Sequence, residues 1–372
     1  MNIAFVLLTH NPDEPAGIER SLASLAQGLR ELGHRTVIIA AGPATPEDDP
    51  DLLRLKTLTL PRPALEDDLH ALLADPEPAR AEVRRLLAAH RAELVCWTDA
   101  VWGLGYLNPA PADVRTALMV HVLRTDEPML AALAHRPAAV LTPSAFLRDQ
   151  ATDAGLDTGR WSVLPNALLQ HAGPPGSAER ERLRRDGPVR IVARAEPHKG
   201  TAELLTALPA ALPGGLGRKL EIVLAPAGFE YWPGMQEQTI AECRALAGQL
   251  PEVRLLPALP WRQVQPFLAG AAVTVIASTS PETFGNVAAE ALSVGTPVTG
   301  YDLGHLPALT GPAGLLVPLA DGPERLWHTV AGLLADQHAY HAASRAAPSQ
   351  VAGHTPAAVA RAFLDATLRR EP

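Results

Sequence analysis

The stretch from Val273 to Val298, VTVIASTSPETFGNVAAEALSVGTPV, constrains the fold of this 372-residue chain more than any other. It opens on Val273-Thr-Val-Ile-Ala277, an apolar run with the length and β-branched content of a buried parallel strand. A polar loop follows, Ser278 to Thr283. Phe284 to Val294 then carries apolar residues at helical spacing, and Gly295 stands where a left-handed cap closes a helix. Thr296-Pro-Val-Thr299 starts the next strand. The pattern predicts a β-loop-α-β unit whose loop feeds a helix N-terminus. Free N–H groups and the positive end of the helix dipole favour an anion there.

Two carboxylates lie in that unit, Glu282 in the loop and Glu290 inside the helix. A carboxylate aimed at a phosphate would repel it, so each is better suited to accept hydrogen bonds from the hydroxyls of a sugar. Spacing alone leaves a plainer reading open, with Glu282 favouring the helix dipole and Glu290 solvated on the helix surface. The full pattern P-E-T-F-G-N-V-A-A-E-A-L-S-V-G-T-P-V closely resembles the E-x7-E signature of retaining glycosyltransferases of family 4. The match includes the Phe-Gly after the first Glu, the Glu-Ala after the spacer and the closing Gly-Thr-Pro-Val.

The length suggests two domains at about 100–200 residues each. The chain is 47% hydrophobic, enough for two cores, and its net charge of −8 gives no global basic footprint for nucleic acid. Cys96 and Cys243 do not make a disulfide framework, which points to a reducing cytoplasm. The apolar run Ile3 to Leu8 is too short for a signal peptide, and no segment approaches the ~18 apolar residues of a membrane span. Abundant Ala, Arg, Leu and Pro suggests a bacterial source.

In the first half, strands are predicted over Asn2 to Leu8, Arg35 to Ala40, Glu93 to Trp97, Val114 to Val122, Ala138 to Leu141 and Trp161 to Leu164. Helices are predicted over Ile18 to Leu32, over Ala64 to Arg91 as one or two pieces, and after an N-cap at Ser144. Asp48-Asp49-Pro50-Asp51 reads as a solvated connector and not a metal-binding Asp-x-Asp, because it follows no strand and lacks companion ligands. Thr98-Asp99 is followed by an aromatic patch, Trp102 and Tyr106. Leu168 to Gly187 reads as the domain junction, with a helix-like stretch from Glu179 to Arg185. In the second half, strands are predicted over Val189 to Ala193, Leu220 to Ala225, Val253 to Leu256, the 273 run and Gly314 to Val317. Helices are predicted at Thr201 to Leu212, Trp261 to Ala269, Glu324 to Ala335 and Thr355 to Leu368. This β/α alternation argues an α/β fold with two doubly wound parallel sheets.

Arg194 and Lys199 leave the C-terminal end of a predicted parallel strand, where open α/β sheets bind ligands. They can stabilise a departing diphosphate, arginine by two parallel bonds and lysine as a point charge. The plainer reading makes them surface charges, and His198 beside them is incidental. The family resemblance gives each residue a role. It implies a GT-B arrangement, two Rossmann-like domains facing across a cleft. Arg194 and Lys199, in R-A-E-P-H-K-G-T, match the diphosphate-binding pair. Glu282 would hold hydroxyls of the donor sugar and Glu290 the ribose. The backbone of Thr283, Phe284, Gly285 and Asn286 would meet the phosphates and sugar. His121 matches the histidine that faces the donor sugar from a strand end, though a lone histidine is also a common structural residue. Where the family has a loop Gly-Gly near the donor diphosphate, this chain has Ala16-Gly17, so only Gly17 is kept, and it also reads as an ordinary loop glycine. The loop from Ala225 to Gly234 is longer and more aromatic than the family's glycine loop. Pro257-Ala-Leu-Pro260 replaces the glycine whose backbone reads the base, so the nucleobase is the weakest part of the resemblance.

The implied domains are 1–168 for the acceptor, 169–188 as linker, 189–350 for the nucleotide sugar, and a helix at 351–372 crossing back to the first. The implied activity is retaining transfer of a hexose-type sugar from a nucleoside-diphosphate sugar, UDP or GDP foremost, to a hydroxyl of a small acceptor. That acceptor would be a sugar, an aminocyclitol or a natural product. No metal or other cofactor is implied, and the mechanism is either same-face displacement or a covalent intermediate. A soluble acceptor is expected over a membrane lipid, because no basic amphipathic helix is present. Nucleic acid and integral membrane contact are not expected, and the assembly would be a monomer or a homodimer. Three alternatives share the pattern: a non-hydrolysing sugar-nucleotide epimerase, a sugar phosphorylase and a non-catalytic sugar-binding module.

Overall fold

The computed structural model describes residues 1–11, 13, 16–42, 44, 49–99 and 111–369. Asp48 and the aromatic pair Trp102 and Tyr106 lie outside them. The chain divides into two compact units. The first holds most of residues 1–167 and takes in the C-terminal segment from His354. The second is Leu168–Gly353, with Gly17 grouped to it.

The first unit is built on a parallel sheet of β1 (Asn2–Val6), β2 (Arg35–Gly42), β3 (Leu52–Thr59), β4 (Leu94–Thr98), β5 (Arg115–Met119), β6 (Ala139–Thr142) and β7 (Trp161–Val163). Its order is β3-β2-β1-β4-β5-β6-β7, and every recorded pairing is parallel. The helices are α1 (Gly17–Glu31), α2 (Glu66–Leu72), α3 (Glu77–Ala89), α4 (Glu127–Ala134) and α5 (Ala145–Asp153). Ser144 caps α5 as predicted, its side chain accepting from Leu147 N at 3.2 Å. Two elements escape the sequence reading. β3 is an edge strand that buries only Leu55 and Leu58, so its apolar pattern is diluted, and α4 is only eight residues long.

Throughout the second unit the strands are again parallel: β8 (Val189–Arg194), β9 (Leu220–Ala225), β10 (Val253–Leu256), β11 (Val273–Ile276), β12 (Val298–Tyr301) and β13 (Gly314–Val317). Their order is β10-β9-β8-β11-β12-β13. The helices are α6 (Ser177–Asp186), α7 (Thr201–Ala211), α8 (Met235–Ala247), α9 (Trp261–Ala269), α10 (Asn286–Ser293), α11 (Leu306–Thr310), α12 (Gly322–Ala335) and α13 (Gln337–Gln350). α8, α11 and α13 are not foreseen from the sequence: polar residues interrupt the apolar faces of α8 and α13, and α11 is only five residues long. Part of the predicted junction is α6. It is fastened by the buried Arg180, whose guanidinium donates to Ala271 O and Val294 O, both at 2.9 Å.

Each unit has its own core. In the first, Ile3, Phe5, Leu22, Leu25 and Leu29 pack with Val359, Ala360 and Phe363. These last three belong to α14 (Pro356–Leu368), the chain's final helix. The rings of Phe5 and Phe363 lie 5.7 Å apart, and Gly28 lets α1 approach the backbone at Pro356, where a Cβ would collide with the carbonyl. In the second, Val189, Ile191, Ile222, Val273 and Val275 of the sheet pack with the fully buried Trp327 and Tyr340. Trp327 Nε1 donates to Leu204 O and the Tyr340 hydroxyl to Ala272 O, both at 2.8 Å. The polar tips of these two large residues are therefore satisfied inside the core.

Candidate active site

In the second sheet the chain runs β8, β9, β10 to one side, then returns to place β11 on the other side of β8. The C-terminal ends of β8 and β11 therefore diverge, and loops leaving them border a crevice. From β8 comes Arg194 to Gly200, and from β11 comes Ser278 to Gly285. These two loops hold most of the predicted site residues.

The loops are stitched together through one carbonyl. His198 O accepts from Thr279 N at 2.9 Å, Thr279 Oγ1 at 3.2 Å and Ser278 Oγ at 3.4 Å. Gly200 then turns the chain into α7 at φ 68°, and a Cβ there would run into the carbonyl of Ala277. Only glycine meets both conditions. The second loop is backed by Gly304-His305: His305 N donates to Glu282 O at 2.8 Å, and the rings of Phe284 and His305 stack at 5.9 Å. Burial lowers the His305 imidazole's proton affinity. Gly285, at φ 90°, caps α10, and Gly295 closes that helix at φ 71° as expected.

Lys199 Nζ donates to Glu282 Oε1 at 2.7 Å, with both side chains largely covered. The cation assigned to phosphate and the carboxylate assigned to sugar thus meet directly. Thr283, Phe284, Gly285 and Asn286 continue from Glu282 into the N-terminus of α10. Glu290 lies one turn further along and is buried at 4% exposure, so the alternative of a solvated helix residue falls. Beyond it, Ser293 Oγ donates to Glu290 O at 2.7 Å and accepts from Gln265 Nε2 at 3.1 Å, which pins the end of α10.

Arg194 and His198 converge on a residue the sequence reading passed over. Glu196 is 3% exposed, and its Oε2 lies 3.1 Å from Arg194 Nη2 and 3.1 Å from His198 Nε2. Burial pushes its carboxyl up, but His198, Arg194 and Lys199 outweigh burial and hold it below its ordinary value. His198 is therefore not incidental, and its ring also meets Tyr231 edge-on at 5.8 Å. The signal is a carboxylate placed between Arg194 and the His198-Lys199 pair.

Two predicted residues come from other parts of the chain. Gly17 is the first residue of α1 and lies against Asn286, whose side-chain amide a Cβ at residue 17 would strike. His121, in the first unit, lies just past the end of β5 and is buried. Burial lowers its pKa to about 4, and its Nε2 has no hydrogen-bond partner among the described residues. Also among the described residues, no group of three or more His, Cys, Asp or Glu is placed to hold a metal ion, and no helix is long and apolar enough to cross a membrane.

Two family models match the chain: Glycosyltransferase Family 4 over residues 15–168, and Glycosyl transferases group 1 over residues 189–336. A D-inositol 3-phosphate glycosyltransferase of Frankia alni is 31% identical over 195 residues, 51% of this chain and 47% of that protein. The one from Segniliparus rotundus is 32% identical over 160 residues, 42% of this chain and 34% of that protein. The matches thus span half or less of these relatives' own lengths. Among solved structures, a sucrose-phosphate synthase from Thermosynechococcus elongatus superposes with a TM-score of 0.79 at 18% identity, covering 98% of both chains. Anabaena HepE in complex with UDP and glucose gives 0.73 at 18%, again covering 98% of both chains. Two doubly wound parallel sheets, each with its own family model, define a glycosyltransferase of the GT-B class. Within that class, the chain belongs to glycosyltransferase family 4.

Proposed function

We propose that the protein moves a hexose-type sugar, with retention, from a nucleoside-diphosphate sugar to a hydroxyl of a small-molecule acceptor, without a divalent metal. The observation that carries this reading is the Lys199–Glu282 contact of 2.7 Å at the β8/β11 crevice, beside the N-terminus of α10. One cation and one carboxylate side by side suit a ligand that is anionic at one end and hydroxylated at the other. Arg194, Lys199 and the α10 N–H groups would stabilise charge on the departing diphosphate. Glu282 would accept from hydroxyls of the transferred sugar, and Glu290 from the ribose. His121, kept neutral by burial, would offer a hydrogen bond to the donor sugar and not a charge. Residues 1–168 would receive the acceptor.

The relatives' name makes D-inositol 3-phosphate the first acceptor to try, with UDP-, GDP- and dTDP-hexoses as donors. Proton NMR of the product then gives the anomeric configuration. Retention of the donor's configuration is expected, and inversion would overturn the reading. Turnover should persist in EDTA. Complete loss that magnesium restores would reject charge stabilisation by Arg194 and Lys199.

A further inference from the structure

We propose that Glu196 is a positioning residue that aims Arg194, with His198, at the donor diphosphate; this rests on the reading of Arg194 and Lys199 as the diphosphate-binding pair. A buried carboxylate beside an anion site is costly twice over. It is desolvated, and it repels the ligand. Yet Glu196 is almost fully buried, with Oε2 placed equally, at 3.1 Å, between Arg194 Nη2 and His198 Nε2. Arg194 is the more exposed partner, so its long side chain would otherwise sample many rotamers. The backbone fixes Glu196 in turn. Glu196 N donates to Arg194 O at 2.8 Å, Lys199 N donates to Glu196 O at 3.0 Å, and Ala195 N donates to Ala225 O at 3.0 Å. The carboxylate is thus a rigid anchor and the guanidinium the part it restrains. Ordering Arg194 before the ligand arrives removes an entropy cost from binding.

The sign of one measurement separates positioning from simple charge. The probe is inorganic pyrophosphate, which carries the diphosphate without base or sugar, titrated by calorimetry. Glu196→Gln removes a negative charge next to the anion. By electrostatics alone it tightens pyrophosphate; as loss of an anchor it weakens it, by about fivefold, the upper end of what one partly exposed ion pair contributes. Glu196→Asp keeps the charge but withdraws it by one methylene, and should weaken binding in the same direction. In an Arg194→Ala background the Glu196→Asp effect should vanish, because the anchor has nothing left to hold. Tighter or unchanged binding in Glu196→Gln, or an equal loss with and without Arg194, overturns the proposal. The second of those results would mean a merely structural carboxylate. Thermal unfolding of each variant identifies any that fail to fold, and the Asp variant, which keeps the ion pair's charge, then decides. If instead Arg194→Ala and Lys199→Ala both leave pyrophosphate binding unchanged, the diphosphate reading itself fails and takes this inference with it.

Discussion

Lys199 and Glu282 neutralise each other across 2.7 Å, so a substitution at either one leaves the other uncompensated. The ligand that inserts beside them must replace part of that contact. Charge grows on a diphosphate as it departs, so the Lys199 contact should be stronger in the transition state than in the ground state. Lys199→Ala is therefore expected to lower kcat by ~10²–10³ with a smaller change in KM. An unchanged kcat with a raised KM would make Lys199 a plain binding residue. The two glutamates should fail differently. Glu290→Gln keeps an acceptor but loses the charge that strengthens hydroxyl hydrogen bonds. It should weaken free nucleoside diphosphate and intact donor alike. Glu282→Gln should weaken the intact donor, or its turnover, without weakening the free diphosphate, because it removes a negative charge beside Lys199. Calorimetry with both ligands on both variants gives the four values, and equal losses throughout would end this division of the donor. Of these residues, the E-x7-E pair and the two cations were legible in the sequence, because a specific local pattern carries them. Glu196 was not, because its role depends on burial and on Arg194 and His198 turning toward it, which no spacing rule encodes.

At the scale of elements, the helix that follows each strand end is held by contacts far apart in sequence. α12 covers the second sheet through Trp327, fully buried and bonded to Leu204 O of α7. Trp327→Ala should destabilise this unit by about 3–5 kcal/mol, the usual cost of deleting a buried aromatic. Denaturant unfolding checks it, and a loss under ~1 kcal/mol would mean that the core collapses around the gap. Gly200→Ala is a second element-scale test. It forces a Cβ into the Ala277 carbonyl and strains the turn into α7, so activity should fall even where the fold survives. β8, β9, β10 and β13 match their predicted spans almost to the residue, although β10 and β13 are edge strands, because turn residues bound their short apolar runs. The missed ones share a physical cause. β3 buries only Leu55 and Leu58, three residues apart, so no period-two pattern marks it as a strand. α4, α8 and α13 bury few residues each, so their apolar stripe is thin and tertiary contacts decide their structure.

Over the whole molecule, the buried titratable groups set a pH window for stability. The His121 pKa falls from 6.5 to about 4 through burial, and burial also lowers His171 and His305. For each, the folded pKa lies below the unfolded one. Between those two values the unfolded chain binds more protons, so stability falls as pH falls. Glu196, held below its ordinary carboxyl value, adds to the same loss at lower pH. On the alkaline side burial lifts the Cys243 thiol to about 11 and raises the Tyr301 and Tyr340 phenols. There the unfolded chain loses protons first, so stability falls as pH rises. The two limbs leave a maximum at roughly pH 7–8.5, between the unfolded values of histidine and cysteine. His121 alone accounts for about 3 kcal/mol of the acid limb, from the gap between its two pKa values. Thermal unfolding from pH 4.5 to 9.5 should trace both limbs, and His121→Asn should flatten the acid one. Stability that rises between pH 7 and 5, or an acid limb that is as steep without His121, would show that its buried neutral state does not govern the response.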